Sequence, residues 1–233
     1  MEQDLERIYR LLLNHFGPRN WWPAKTSFEV IIGAILTQAV AWKNVVKAIG
    51  NLEAAGLLSP KELFLVNTET IEKLIKPTRY YRMKTKKLKA FINYLFSKHN
   101  GDLDQMFRYP LDQLRQELLG VYGMGDETVD AILLYAGNYP VFVVDEYTRR
   151  IFSRLGFFPE RISYRKMQDF FEQQLPTNVG FFNEFHAQID ALGHYICKTK
   201  PICIECPLKG LCPKTDLYEP NKKNGSVFSR AYG

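Results

Sequence analysis

The chain has 233 residues, 46% of them hydrophobic and 24% charged, an ordinary globular composition that fits one large domain or two small ones. Its net charge of +6 favours a polyanionic partner over a cationic one. All four cysteines lie between Cys197 and Cys212, which speaks against a secreted disulfide frame, whose staples spread along the chain, and for one metal site in a reducing compartment.

Leu5, Ile8, Leu12 and Phe16 recur at intervals of three or four and predict an opening helix that Gly17-Pro18 ends. Glu2, Asp4 and Glu6 stand where a targeting signal would carry bases, so a cytoplasmic location is expected. Phe28 to Val40 reads as a mostly buried helix, and its apolar stretch Val30 to Leu36 is too short to span a bilayer. Further helices are expected at 43–55, 60–66, 69–75, 83–98, 110–119, 126–137, 144–155, 163–174 and 180–196. No stretch alternates with period two long enough for a strand, and Val141 to Val144 reads as an extended lead into a helix. The polar tail from Thr215 to Gly233 is expected to be partly mobile.

Three local features carry chemistry. The first is the loop Cys197-x5-Cys203-x2-Cys206-x5-Cys212, four thiols that suit one tetrahedral zinc or a [4Fe–4S] cluster; four buried free cysteines is the plainer alternative. Lys198, Lys200, Lys209 and Lys214 surround it and suit phosphate. The second is Val121-Tyr122-Gly123-Met124-Gly125, where two glycines allow a tight turn that offers backbone N–H groups to a phosphate; glycines also serve ordinary turns. The third is Asp145 at an expected helix start, either a simple N-cap or a carboxylate that stabilises an oxocarbenium-like sugar and orients water.

A glycine hairpin, an aspartate shortly after it and a C-terminal four-cysteine loop, over roughly residues 20 to 213, resemble the helix-hairpin-helix DNA glycosylases of the endonuclease III superfamily. The resemblance implies an all-α, two-domain fold with DNA bound at the cleft between the domains. A central domain would span 26–138, and residues 1–25 with 139–233 would form the other, carrying a C-terminal iron–sulfur cluster loop. It further implies that Asp145 is catalytic, that Gly123 and Gly125 are the hairpin glycines, and that Cys197, Cys203, Cys206 and Cys212 hold a [4Fe–4S] cluster. Gln38 would fill the gap left by a flipped base, and Tyr80 would enter the opposite stack. Where bifunctional members carry a lysine, this chain has Glu127, which cannot form an imine, so hydrolysis without strand cleavage is expected. Glu127 could instead orient water, assist Asp145 or pack at a helix start. The first cysteine interval is x5 where the family spacing is commonly x6.

Trp21-Trp22-Pro23, Phe28-Glu29, Leu36-Thr37-Gln38 and Trp42 resemble the 3-methyladenine DNA glycosylase III branch. Trp22 and Trp42, with Trp21 beside them, would sandwich an extruded base; core packing is the alternative. A 3-methylated adenine is cationic, and an aromatic face attracts a cation by roughly 0.5–2 kcal/mol. Residues 73–98 hold nine Lys or Arg and no acid, among them Arg79, Arg82 and Lys84, and are expected to contact phosphate rather than only solvent. The expected partner is double-stranded DNA with a damaged base, bound by a monomer in the nucleoid. The competing readings are a glycosylase for T or U opposite G, a non-catalytic iron–sulfur DNA-binding protein, and a lyase using Lys84 or Lys86.

Overall fold

The computed structural model describes residues 2–214, and the tail expected to be mobile lies outside them. Helix α1, Glu2–Phe16, buries Leu5, Ile8 and Leu12 on one face and ends at Gly17, whose positive φ closes the turn. Helix α2, Ser27–Leu36, starts where Thr26 accepts a hydrogen bond from the Glu29 N–H and is buried almost all round. It stops four residues short of the expected Val40. Thr37 Oγ1 donates back to Gly33 O at 2.7 Å, and Ala39 at φ +54° cannot continue a helix.

Helices α3 (Trp42–Ala54), α4 (Pro60–Leu65) and α5 (Thr68–Leu74) follow the expected spans, with Ser59 and Asn67 as side-chain caps. A 3-10 turn at Lys76–Thr78 leads to α6, Tyr81–His99. A short α7, Leu103–Met106, was not expected; Asp102 caps it. Helices α8 (Leu111–Leu119) and α9 (Asp126–Ala131) flank the glycine hairpin. Rather than running on to 137 as one α-helix, α9 widens into a π-helical segment, Ile132–Ala136, closed by Gly137 N–H to Ile132 O. Val141 to Val144 is a buried lead with no regular structure. Helices α10 (Glu146–Arg154), α11 (Tyr164–Glu172) and α12 (Val179–Tyr195) complete the set. Among the described residues there is no strand, and no described helix is long and apolar enough to cross a membrane.

The chain divides into two compact units. One is Asn20–Val143 with Thr177–Asn183; it contains the expected 26–138 range, is longer at both ends, and takes in the start of α12. Here α2 is the central element, packed by α3, α6, α9 and the π-helical segment. The other unit is Met1–Arg19, Val144–Pro176 and Glu184–Gly233. Its core is aromatic, with Phe171 edge-on to Phe152 at 4.8 Å and to Phe185 at 6.3 Å, and Tyr9 against Phe185 at 5.4 Å.

Candidate DNA-repair site

In the larger unit the hairpin Val121–Gly125 joins α8 to α9 at a sharp turn. Gly123 adopts φ +80°, and a Cβ there would overlap the stem of Lys87, so both conformation and space demand glycine. Gly125 has an ordinary φ of −103° with open space around it. Behind the turn, Arg115 of α8 clasps the buried Asp130 of α9 through Nε at 2.7 Å and Nη2 at 3.0 Å, and also reaches Asp126 at 2.8 Å. These pairings hold the Arg115 guanidinium above its ordinary range and fix the two helices across the hairpin. Glu127 is exposed in the first turn of α9.

Gln38 is tethered to this hairpin. Its Nε2 donates to Thr128 Oγ1 at 2.8 Å and to Gly123 O at 3.4 Å, and its Oε1 accepts from Lys87 Nζ. Tyr80 projects from the turn before α6 and is 72% exposed. Arg79 and Tyr80 both take positive φ, 55° and 42°, which costs about 1–3 kcal/mol each for a non-glycine residue. Arg79, Arg82 and Lys86 are exposed, as phosphate contact requires. Lys84 is not. Expected on the DNA-facing surface, it is buried, with Nζ donating to Leu36 O at 2.8 Å and Thr78 O at 2.7 Å. Burial, with the Lys87 charge adding to it, pushes Lys84 down to about 8. Lys89 is likewise turned inward, onto the carbonyls of Leu63, Phe64 and Val66 at the end of α4. The basic run is therefore part exposed surface and part internal scaffold.

The three tryptophans lie together, with centroid separations of 5.1 Å for Trp21–Trp22, 5.0 Å for Trp21–Trp42 and 5.3 Å for Trp22–Trp42. Trp22 and Trp42 meet at 82°, edge to face, and are not the parallel plates of a preformed sandwich. A fourth ring, Tyr135, stands 5.4 Å from Trp22 and comes from the π-helical segment; sequence reading missed it. The Trp22 indole lies flat enough on α2 that a Cβ at Gly33 would come within 3.0 Å of it.

In the smaller unit Asp145 caps α10. Its Oδ1 accepts from the Thr148 N–H at 2.7 Å and the Thr148 hydroxyl at 2.8 Å, and its Oδ2 faces His186 Nε2 at 4.0 Å. Burial pushes His186 below its ordinary value, against the pull of Asp145. Asp190, one helical turn after His186, is a second carboxyl in this environment. Burial, and then the Asp145 charge, push it up to about 7, with Arg19 opposing. Sequence reading missed both. Their signal was a pair of polar residues four apart within a mostly buried helix. The centre has the parts of a hydrolytic site: an oriented carboxylate at a helix N-terminus, with a second, protonatable one beside it.

The four cysteines line one cavity of about 30 Å³ with Arg154, Ile196, Pro201 and Lys214. Arg154 of α10 donates to Cys197 Sγ at 3.2 Å and to the carbonyls of Lys198 and Thr199 at 2.7 and 3.1 Å. Arg150 holds Cys197 O at 2.8 Å and Gly193 O at 3.0 Å. The same helix thus presents Asp145 at its start and braces the cysteine loop at its end. The four thiols thus line one shared space in a loop braced by two arginines, while among the described residues no group of three or more His, Cys, Asp or Glu side chains is placed to hold a metal ion.

Comparison with known proteins decides the family. Residues 32–177 match the family model described as HhH-GPD superfamily base excision DNA repair protein. The chain belongs to this superfamily. It is similar to a Methanocaldococcus jannaschii protein named as a DNA repair glycosylase, with 41% identity over 208 residues, 88% of this chain and 94% of that one. It is 29% identical to endonuclease III of Sulfolobus acidocaldarius over 199 residues, 84% of this chain and 85% of the relative. Among solved structures, Helicobacter pylori 3-methyladenine DNA glycosylase bound to 1,N6-ethenoadenine matches at TM-score 0.72 and 25% identity. That match covers 82% of this chain and 95% of the other. An endonuclease III–DNA complex matches in fold at TM-score 0.80 and 24% identity, covering 93% and 97%. The protein is accordingly a helix-hairpin-helix DNA glycosylase of base excision repair, and it binds DNA.

Proposed function

We propose that this glycosylase is monofunctional and hydrolyses the N-glycosidic bond of an extruded alkylated purine, such as 3-methyladenine, in double-stranded DNA. The observation that carries this reading is the cluster of Trp21, Trp22, Trp42 and Tyr135. Four electron-rich rings at one place suit a cationic, flat base. The likeness to a 3-methyladenine glycosylase supports it. A cationic purine leaves as a neutral base, so the leaving group needs little acid catalysis. What remains is to stabilise the oxocarbenium-like sugar and align water, and the reading gives both tasks to Asp145. Thr148 holds Oδ1, so the carboxylate is oriented before substrate arrives. Glu127 at the family's lysine position supports water, not an amine, as the nucleophile.

Gly123 and Gly125 would meet a phosphate through backbone N–H groups, and Arg79 and Arg82 would meet others. Gln38 would fill the gap left by the extruded base, and Tyr80 would enter the opposite stack. Cys197, Cys203, Cys206 and Cys212 would hold a [4Fe–4S] cluster, which supplies a fixed charged centre to the loop. The protein would act as a monomer at the nucleoid.

The test is to identify the free base released from randomly methylated duplex DNA and from duplexes carrying T or U opposite G, and to seek a borohydride-trapped protein–DNA adduct. Release of 3-methyladenine without an adduct is expected. Release only of T or U opposite G, or an adduct, would overturn the substrate or the monofunctional reading respectively. Broad visible absorbance and iron content would separate a cluster from zinc.

A further inference from the structure

Helix α6 carries two lysines, one turn apart, whose ammonium groups are spent inside the protein. Lys84 Nζ joins Leu36 O to Thr78 O, and it is only 2% exposed. Leu36 ends α2 immediately before the turn that carries Gln38. Thr78 immediately precedes Arg79 and Tyr80. The backbone N–H of Lys84 also bonds Tyr80 O at 3.0 Å, so one residue brackets the turn from both sides. Lys87 Nζ donates to Gln38 Oε1, while its stem lies in the space that a side chain at Gly123 would need. Gln38 completes the circuit through Thr128 Oγ1 and Gly123 O.

Three turns far apart in sequence are thus tied together by one face of α6. Each contains positive φ: 54° at Ala39, 55° and 42° at Arg79 and Tyr80, 80° at Gly123. Non-glycine residues hold such conformations only where their surroundings fix them. An ammonium has three donors on one atom and no acceptor, so a single Nζ sets the distance between two carbonyls from different turns.

We propose that Lys84 and Lys87 are positioning residues that hold the Gln38 and Tyr80 turns in register with the glycine hairpin. Phosphate capture at the hairpin and entry of Gln38 and Tyr80 into the duplex then occur as one event. Gln38 enters by exchanging its bonds to Thr128 and Lys87 for bonds to the orphaned base. This rests on the reading of Gln38 and Tyr80 as the residues that enter DNA.

The experiment compares wild-type protein with Lys87→Met, Lys84→Met and Arg79→Ala. The probe is a duplex with a tetrahydrofuran abasic analogue opposite 2-aminopurine. Lys84→Met leaves two buried carbonyls without their donor and can fail to fold; the half-buried Lys87 keeps the test open. For Lys87→Met we expect an unchanged slope of log affinity against log salt, because the side chain neutralises no phosphate. We also expect the 2-aminopurine fluorescence rise to fall by half or more, and single-turnover base release to slow by about 10- to 100-fold, as misplacement of a positioned group does. Arg79→Ala should instead lower the salt slope by about one.

If Lys87→Met lowers the slope by about one and keeps the fluorescence rise, Lys87 is a phosphate ligand and the proposal is wrong. It is equally wrong if neither quantity changes. Should wild-type protein release no base from any substrate, the substrate reading fails, but the fluorescence comparison on the abasic duplex still decides the role of the lysines.

Discussion

Asp145 and Thr148 make a double contact: one carboxylate oxygen accepts both the backbone N–H and the hydroxyl of Thr148, at 2.7 and 2.8 Å. The cap that starts α10 and the carboxylate that would serve catalysis are the same group. Capping fixes Oδ1 and leaves the direction of Oδ2 determined.

The carboxyl beside it gives a pH dependence with a definite sign. Burial and the Asp145 charge raise Asp190 from its ordinary 3.8 to about 7. The folded state therefore holds the Asp190 proton more tightly than the unfolded chain. Its contribution to stability is complete below pH 4 and is lost as pH rises through 7. Relative to Asp190→Asn, wild-type protein should lose stability between pH 4 and 7 and lose no more above. Tm of both proteins at pH 5 and pH 8 checks this; a Tm gap that does not widen towards pH 8 contradicts it.

Gly33→Ala tests the aromatic cluster without touching a ring. A Cβ at this position meets the Trp22 indole at 3.0 Å. The helix gains up to about 1 kcal/mol of propensity, which offsets part of the strain. Stability should change little, while release of 3-methyladenine falls about tenfold, as displacement of an ordered group by a fraction of an ångström would produce. Thermal unfolding and single-turnover kinetics on one preparation separate the two effects.

Much of this architecture was open to reading in the sequence, for reasons that differ by residue. Leu5, Ile8 and Leu12 reveal α1 because one face of a helix recurs every three to four residues. Asp145 and Thr148 are three apart, so their capping contact is local and legible. Lys84 misleads because a buried lysine and a solvated one look the same in a basic run; its acceptor Leu36 lies 48 residues away. The end of α2 was misplaced because the Thr37 hydroxyl and the positive φ of Ala39, not a glycine or proline, stop it. The tryptophans announce their cluster, but the 82° angle between Trp22 and Trp42 belongs to packing, as does Tyr135, which depends on the wider turn of Ile132–Ala136.

Arg115→Met should be strongly destabilising. Asp130 is fully buried, and Arg115 is 12% exposed. Removing the guanidinium takes two charge-assisted hydrogen bonds from a buried carboxylate, a loss of about 3–5 kcal/mol. Denaturant unfolding should show this cost, reduced in the double variant Arg115→Met, Asp130→Leu. An additive double variant would mean that the pair does not interact as the geometry indicates.

Gly123→Ala should weaken DNA binding more than Gly125→Ala. Position 123 combines φ +80° with a clash against the Lys87 stem, whereas position 125 has neither. Affinity for an abasic-analogue duplex should fall several-fold more for the first substitution. Equal losses would mean that the two glycines serve only as close-approach points for a phosphate.

The most direct test of the account is single-turnover release of 3-methyladenine from methylated duplex DNA by Asp145→Asn. Asparagine caps a helix about as well as aspartate, so α10 and the Tm should be kept while the negative charge is lost. The account predicts a rate at least about 100-fold below wild type at unchanged DNA affinity. Release at the wild-type rate would contradict it, because hydrolysis would then not depend on the carboxylate that Thr148 holds in place.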